Sequence, residues 1–183
     1  MKKLFLLTIM LLMTASVFAQ EKETNVRIPS GYQGFLEYGN TFVFDKNADN
    51  TINLSTTHGF FMNDHTYVGI GLSIDINQYR TIVPIYANVR YVFNHKPISP
   101  VIGIRLGSFM EDKVNAYADL TFGVRFATKR DFALSLLLSG TYYDNLYRGY
   151  DTCYTDENGY VHYEYNEVKY NLSGISLRIG IEW

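Results

Sequence analysis

The stretch that decides the fold is Val114-Asn115-Ala116-Tyr117-Ala118-Asp119-Leu120-Thr121-Phe122-Gly123-Val124-Arg125-Phe126-Ala127. Every second residue is apolar: Ala116, Ala118, Leu120, Phe122, Val124 and Phe126. The residues between them are Asn115, Tyr117, Asp119, Thr121, Gly123 and Arg125. A period of two is a strand period, because successive side chains point to opposite faces of a sheet.

The same alternation recurs along the chain. Thr81–Phe93 sets Val83, Ile85, Ala87, Val89, Tyr91 and Phe93 against Pro84, Tyr86, Asn88 and Arg90. Thr66–Ile76 sets Val68, Ile70, Leu72, Ile74 and Ile76 against Gly69, Gly71, Ser73 and Asp75. The last segment sets Ile175, Leu177, Ile179, Ile181 and Trp183 against Gly174, Ser176, Arg178, Gly180 and Glu182. Four more segments, Tyr32–Phe44, Thr51–Phe61, Ser99–Phe109 and Phe132–Tyr143, complete a set of eight with Val168–Trp183 as the last. Turn-forming residues separate them: Asp45 to Asn50, Asn63-Asp64, Asn77-Gln78, Asn94 to Pro97, Glu111 to Lys113 and Thr128 to Asp131. No window carries a helical pattern. The spacing predicts an all-β, eight-stranded antiparallel up-and-down barrel.

Alternation does not say which face points inward. A soluble barrel buries its apolar face, and a transmembrane barrel turns it to lipid. Three features favour lipid. Every lysine after residue 20 (Lys22, Lys46, Lys96, Lys113, Lys129 and Lys169) falls in a turn, a tail or a strand end. The polar face is built of Gly, Ser, Asn, Tyr and single charges, which suits a narrow interior. Aromatic residues cluster near strand ends, at Phe44, Phe60, Phe61, Tyr91, Phe93, Phe126, Phe132, Tyr142 and Trp183, as two interfacial girdles require. Ten residues at ~3.3 Å, tilted by ~40°, span about 25 Å of membrane. Two residues sit awkwardly: Pro84 removes a ladder donor and belongs at the outer rim, and His58 falls on the lipid face.

The chain has 183 residues, of which 16 are Lys or Arg and 18 Asp or Glu, with 16 Tyr and 12 Phe. That length suits one domain, and the acidic balance argues against nucleic acid as a partner. The single cysteine, Cys153, excludes a disulfide framework and a cysteine zinc site. Residues 1–19 read as a cleaved signal peptide: Lys2-Lys3, an apolar run from Leu4 to Met13, and small residues at Val17 and Ala19 before Gln20. Residues 20–183 then form one barrel domain of the outer membrane.

The interior is expected to collect Glu37, Asp75, Asp119 and Glu182 with Arg90, Arg105, Arg125 and Arg178 as ion pairs. The expected role is a structural plug; the alternative is a narrow passive channel. The longest connection, about 144–167, holds Tyr147, Tyr150, Tyr154, Tyr160, Tyr163 and Tyr165, with a hairpin signal at Asn158-Gly159. Strands seven and eight are expected to continue through it as a Tyr-rich hairpin above the membrane, a surface fit to bind an extracellular protein or glycan. Asp151, Asp156, Glu157, His162 and Glu164 there follow no metal-ligand spacing. His162, Glu164 and Ser139 are the candidates for a lipid-modifying active site. No cofactor is expected, and neither is an enzymatic activity. A soluble lipocalin-like carrier is the reading if the apolar face points inward.

Three stretches resemble small Gram-negative outer-membrane β-barrel proteins of the OmpA and OmpX class. They are Gly59 to Leu72, Val83 to Tyr91 with Ser99 to Gly103, and the terminal Arg178-Ile179-Gly180-Ile181-Glu182-Trp183. The resemblance implies a monomeric barrel in outer-membrane lipid and insertion by the barrel assembly machinery, which reads the terminal strand. Many members end in Phe where this chain has Trp183. It implies no ligand.

Overall fold

The computed structural model describes residues 31–44, 49–78, 80–110, 113–127, 132–155 and 160–183. The signal-peptide stretch, the lead-in to Ser30 and the Asn158-Gly159 turn lie outside them. The elements are β1 (Tyr32–Val43), β2 (Thr51–Phe61), β3 (Thr66–Ile76), β4 (Thr81–Ile82), β5 (Ile85–Val92), β6 (Ile98–Met110), β7 (Val114–Ala127), β8 (Ala133–Thr155) and β9 (Val161–Glu182).

The strands pair antiparallel around the sheet, and β1 pairs with both β2 and β9, so the sheet closes on itself. β4 and β5 are two pieces of one stave, and both pair with β3. The sequence reading ran one strand from Thr81 to Phe93. The break lies at Val83-Pro84, where the proline has no N–H to donate. Its carbonyl still accepts from Ser73 N at 3.0 Å, so the ladder is bridged and the barrel has eight staves.

The seam between first and last strands is in register from Phe35↔Glu182 to Val43↔Gly174. One pair beyond it, Gly34 and Trp183 exchange both backbone bonds, at 2.9 and 3.1 Å. Gly34 is required there, because a Cβ would run into the Trp183 indole.

The apolar face points outward. Ile70 is 72% exposed, Ile85 66% and Ile179 59%, whereas Glu37 and Arg105 are 1% exposed. This inverts a soluble barrel and excludes an apolar-lined carrier. The girdle aromatics are exposed, with one exception: Phe61 is half-buried and packs on an inner cluster of Val92, Val101 and Leu137. The alternation places it there: Thr51, Asn53, Ser55, Thr57 and Gly59 are the buried positions of β2, and Phe61 continues that set. His58 does point outward, near the terminal end of the barrel. Its ring is satisfied locally, with Tyr32 Oη 2.6 Å from Nδ1 and Thr56 Oγ1 3.0 Å from Nε2.

Beyond Tyr143 the pairing of β8 with β9 shifts register and then continues from Leu146↔Tyr170 to Thr155↔Val161. Neither strand has another partner there: β7 stops at Tyr117↔Tyr143 and β1 at Val43↔Gly174. A two-stranded ribbon therefore projects past the barrel wall, as the hairpin reading required.

Gly69 and Gly71 make room inside the wall for two rings. A Cβ on Gly71 would lie 2.6 Å from the Tyr86 ring and 2.7 Å from Thr57 Oγ1. Gly71→Val therefore displaces Tyr86, and overpacking of this kind costs ~1–3 kcal/mol. The temperature at which the unheated gel mobility is lost should fall; an unchanged temperature would show that the ring is not held there.

Candidate functional site: a filled lumen and a projecting ribbon

The strand period delivers one set of side chains to the lumen, and its chemistry changes along the axis. At the ribbon end lies an apolar, aromatic layer of Ile82, Tyr86, Phe109, Tyr117, Tyr143, Leu146 and Leu172, with Val43 and Tyr170 against it. At the terminal end Val92, Val101 and Leu137 form a second apolar layer. Between them lies most of the ionic and hydroxyl-bearing set.

Glu37 receives two guanidinium groups, Arg90 on one oxygen and Arg105 on the other. Each arginine also stacks on a ring: Arg90 lies 4.4 Å from the centroid of Phe35 and Arg105 5.0 Å from that of Tyr86. Asp119 is fully engaged. Arg178 donates to both its oxygens, at 3.2 and 2.5 Å, and Thr121 and Thr141 donate to them at 2.7 and 2.8 Å. Arg125 forks onto Glu182, Nε at 2.9 Å and Nη2 at 2.7 Å, near the terminal end. Asp75 differs from the other three carboxylates. It accepts from Tyr143 Oη and Ser73 Oγ, each at 2.5 Å, and has no ion pair with an arginine among the described residues.

A belt of hydroxyls and amides runs across consecutive strands. Asn53 Nδ2 donates to Thr41 Oγ1 at 2.9 Å. Thr41 meets Ser176 at 2.5 Å, and Ser176 meets Thr141 at 3.0 Å. Thr121 meets Ser139 at 3.0 Å. The belt crosses from β2 to β8 over the β1–β9 seam and joins the Asp119 cluster. It ties the two chain ends together inside the wall, as the backbone does within it.

All eight charged residues picked from the sequence lie in the lumen, buried to 5% exposure or less. The rings of Phe35, Tyr67, Tyr86, Tyr117 and Tyr143 fill much of the remaining space. Phe35 escaped the sequence reading, although the parity set by Glu37 places it on the inner face. Among the described residues, a recess at the terminal end between Phe61, Val92, Val101 and Arg125 has room for about one water molecule.

Of the tyrosines picked in the long connection, Tyr154, Tyr160 and Tyr163 are exposed on the ribbon, at 54%, 70% and 79%. Tyr154 stacks on His162, with centroids 5.2 Å apart and planes 15° from parallel. Tyr147, Tyr150 and Tyr165 lie on the paired strands, opposite Lys169, Asn166 and Asp151. Their side chains lie outside the described residues. Of the lipid-modifying candidates, Ser139 and His162 are not brought together, and the side chain of Glu164 lies outside the described residues. Ser139 is buried in the lumen against Thr121, and His162 stands on the ribbon. Among the described residues no group of three or more His, Cys, Asp or Glu is placed to hold a metal ion.

Removing one partner of a buried ion pair costs ~3–5 kcal/mol, because the other charge is left without compensation. Glu37→Gln strands two arginines at once and should lower the free energy of unfolding by at least that amount, moving the urea midpoint down in proportion. Val161→Ser, on the exposed ribbon, should leave the midpoint in place. Equal midpoints for both variants would show that the lumen contributes nothing to stability.

No protein-family model matches the chain, and no curated protein does. Solved structures do. Neisserial surface protein A (NspA) aligns with a TM-score of 0.56 at 17% identity, over 82% of this chain and 94% of that one. The N-terminal β-barrel domain of Pseudomonas aeruginosa OprF aligns with a TM-score of 0.48 at 13% identity, over 85% of this chain and 100% of that one. At such identities the likeness is one of fold. The chain has the fold of a closed eight-stranded antiparallel barrel, like transmembrane barrels.

Proposed function

We propose that this protein is a non-enzymatic integral barrel of the outer membrane. Its lumen is a structural plug, and its projecting ribbon is a surface-binding element. The observation that carries the reading is the contrast between the two parts. In the lumen Glu37, Asp119 and Glu182 are each met by arginine, and Asp75 by the hydroxyls of Tyr143 and Ser73. Among the described residues neither strand of the ribbon pairs with a second strand, and Tyr154, Tyr160 and Tyr163 are exposed. Tyrosine offers ring area and a hydroxyl at little conformational cost, which suits recognition of a protein or a glycan.

In this orientation the chain ends lie at the periplasmic rim and the ribbon lies outside the cell. The terminal strand, ending on Ile181 and Trp183 with outward side chains, is the segment the assembly machinery would read. A passive channel is the second reading, since an ionic layer can rearrange. The buried aromatic layer at the ribbon end and the narrow interior of an eight-stranded barrel weigh against it.

Two measurements test this reading. In planar bilayers the purified protein should give no conductance steps, and steps would support the channel. On a glycan array and a panel of purified extracellular proteins, the full chain should bind a ligand that a ribbon-clipped chain does not. The clipped chain joins Leu146 to Tyr170 through Asn-Gly and should keep its heat-dependent gel shift. Binding that survives the clip, or no binding by the full chain, would remove the surface-binding role.

A further inference from the structure

We propose that His65 and His95 form a two-imidazole site for a divalent transition-metal ion at the terminal rim of the barrel. The two residues come from neighbouring connections, one between β2 and β3 and the other between β5 and β6. The β3–β5 pairing brings those connections together, with Thr66 opposite Tyr91.

His65 is held on several sides. Asn63 Oδ1 accepts from the backbone N–H of His65 at 2.9 Å and from that of Thr66 at 2.8 Å. The His65 carbonyl accepts from Val92 N at 2.8 Å. His65 Nδ1 lies 2.7 Å from the Val92 carbonyl oxygen. A carbonyl can only accept, so Nδ1 carries the proton. In the neutral ring the lone pair is then on Nε2, and among the described residues no hydrogen bond of the protein uses it. A backbone carbonyl on one imidazole nitrogen with the other nitrogen left for a metal is the usual outer-shell arrangement of metal-ligating histidine. Tyr91 stacks on the ring at 5.5 Å and fixes its plane.

The His95 ring lies 4.6 Å from that of His65, centroid to centroid, with 62° between the planes. Among the described residues nothing hydrogen-bonds it, so either nitrogen is available. The separation fits a shared ion. An imidazole nitrogen ~2.1 Å from a metal puts its ring centroid ~3.2 Å away. Two such centroids 4.6 Å apart subtend about 90° at the metal, the angle between neighbouring ligands in square-planar or octahedral coordination. Imidazole selects Cu²⁺, Ni²⁺ and Zn²⁺ over Mg²⁺, and water completes the shell. With two protein ligands the affinity is moderate. The site shares no residue with the lumen pairs or the ribbon, so it stands or falls separately from the function proposed above.

The test uses the full chain in detergent, titrated with Cu²⁺ and followed by electron paramagnetic resonance, with Zn²⁺ and Mg²⁺ titrations by calorimetry. One Cu²⁺ per chain with two coordinated nitrogens is expected, along with Zn²⁺ binding and none of Mg²⁺. His65→Ala and His95→Ala should each lose one nitrogen and weaken binding by about tenfold or more. His65→Ala also removes the contact to Val92 and can weaken the fold. His95→Ala removes no hydrogen bond and decides the matter if the other variant does not fold. Absence of binding by the natural chain, or unchanged affinity in His95→Ala, would overturn the proposal. Unchanged affinity would place the ion at His58, His162 or Cys153 instead.

Discussion

The constraint on which this structure rests is that a sheet in lipid has no water to satisfy an open edge. The seam from Gly34–Trp183 to Val43–Gly174 removes the edge that β1 and β9 would otherwise expose. Once the sheet is closed, the period of two leaves no freedom. If Leu120 and Ile179 face out, then Asp119 and Arg178 must face in. The barrel cannot present an apolar wall to lipid without loading its axis with whatever alternates against that wall.

That loading explains the pairing in the lumen. Eight staves enclose a space only wide enough for side chains, so charges brought there meet each other and not bulk water. Glu37 bears two arginines, and Asp119 combines one arginine with two hydroxyls. Asp75 lies further toward the ribbon end and is met by hydroxyls alone. Tyr143, its donor, is also the last residue of β8 in register before the ribbon departs. The side chain that closes the lumen at that end thus stands at the root of the projecting hairpin. Gly69 and Gly71 serve the same packing from β3, by giving up side chains where Tyr67 and Tyr86 need volume.

Most of this was legible in the sequence because one rule, alternation, governs strand identity, face and lumen composition together. The eight inner charges followed from parity in β1, β3, β5, β6, β7 and β9. Phe61 departs from the expected girdle because neighbours on a strand face opposite ways: Phe60 points out, so Phe61 continues the inner set of Thr51, Asn53, Ser55, Thr57 and Gly59. Pro84 marks a missing ladder donor already in the sequence, and the stave breaks there into β4 and β5. Which acid meets which arginine was not legible. Glu37 on β1 reaches Arg90 on β5 and Arg105 on β6 across the barrel, and such a contact depends on register and stagger. The His65–His95 approach was hidden for a related reason, since both residues lie in turns and no period links one turn to the next.

The ribbon obeys different physics from the wall beneath it. Within the barrel each inner strand has two neighbours and each inward side chain is enclosed. Beyond Leu146 the pair β8–β9 has one ladder and two free edges. Isolated two-stranded hairpins are marginal in water. This one is anchored at its base by Leu146 and Leu172, both buried in the aromatic layer of the lumen. Further out, Tyr154 on His162 and Asn166 on Thr152 at 2.8 Å supply cross-strand contacts. The exposed tyrosines lie at the end furthest from that anchor. A surface of this kind, rigid at the root and with both edges free above it, is the part of the molecule best able to adjust to a partner without disturbing the barrel.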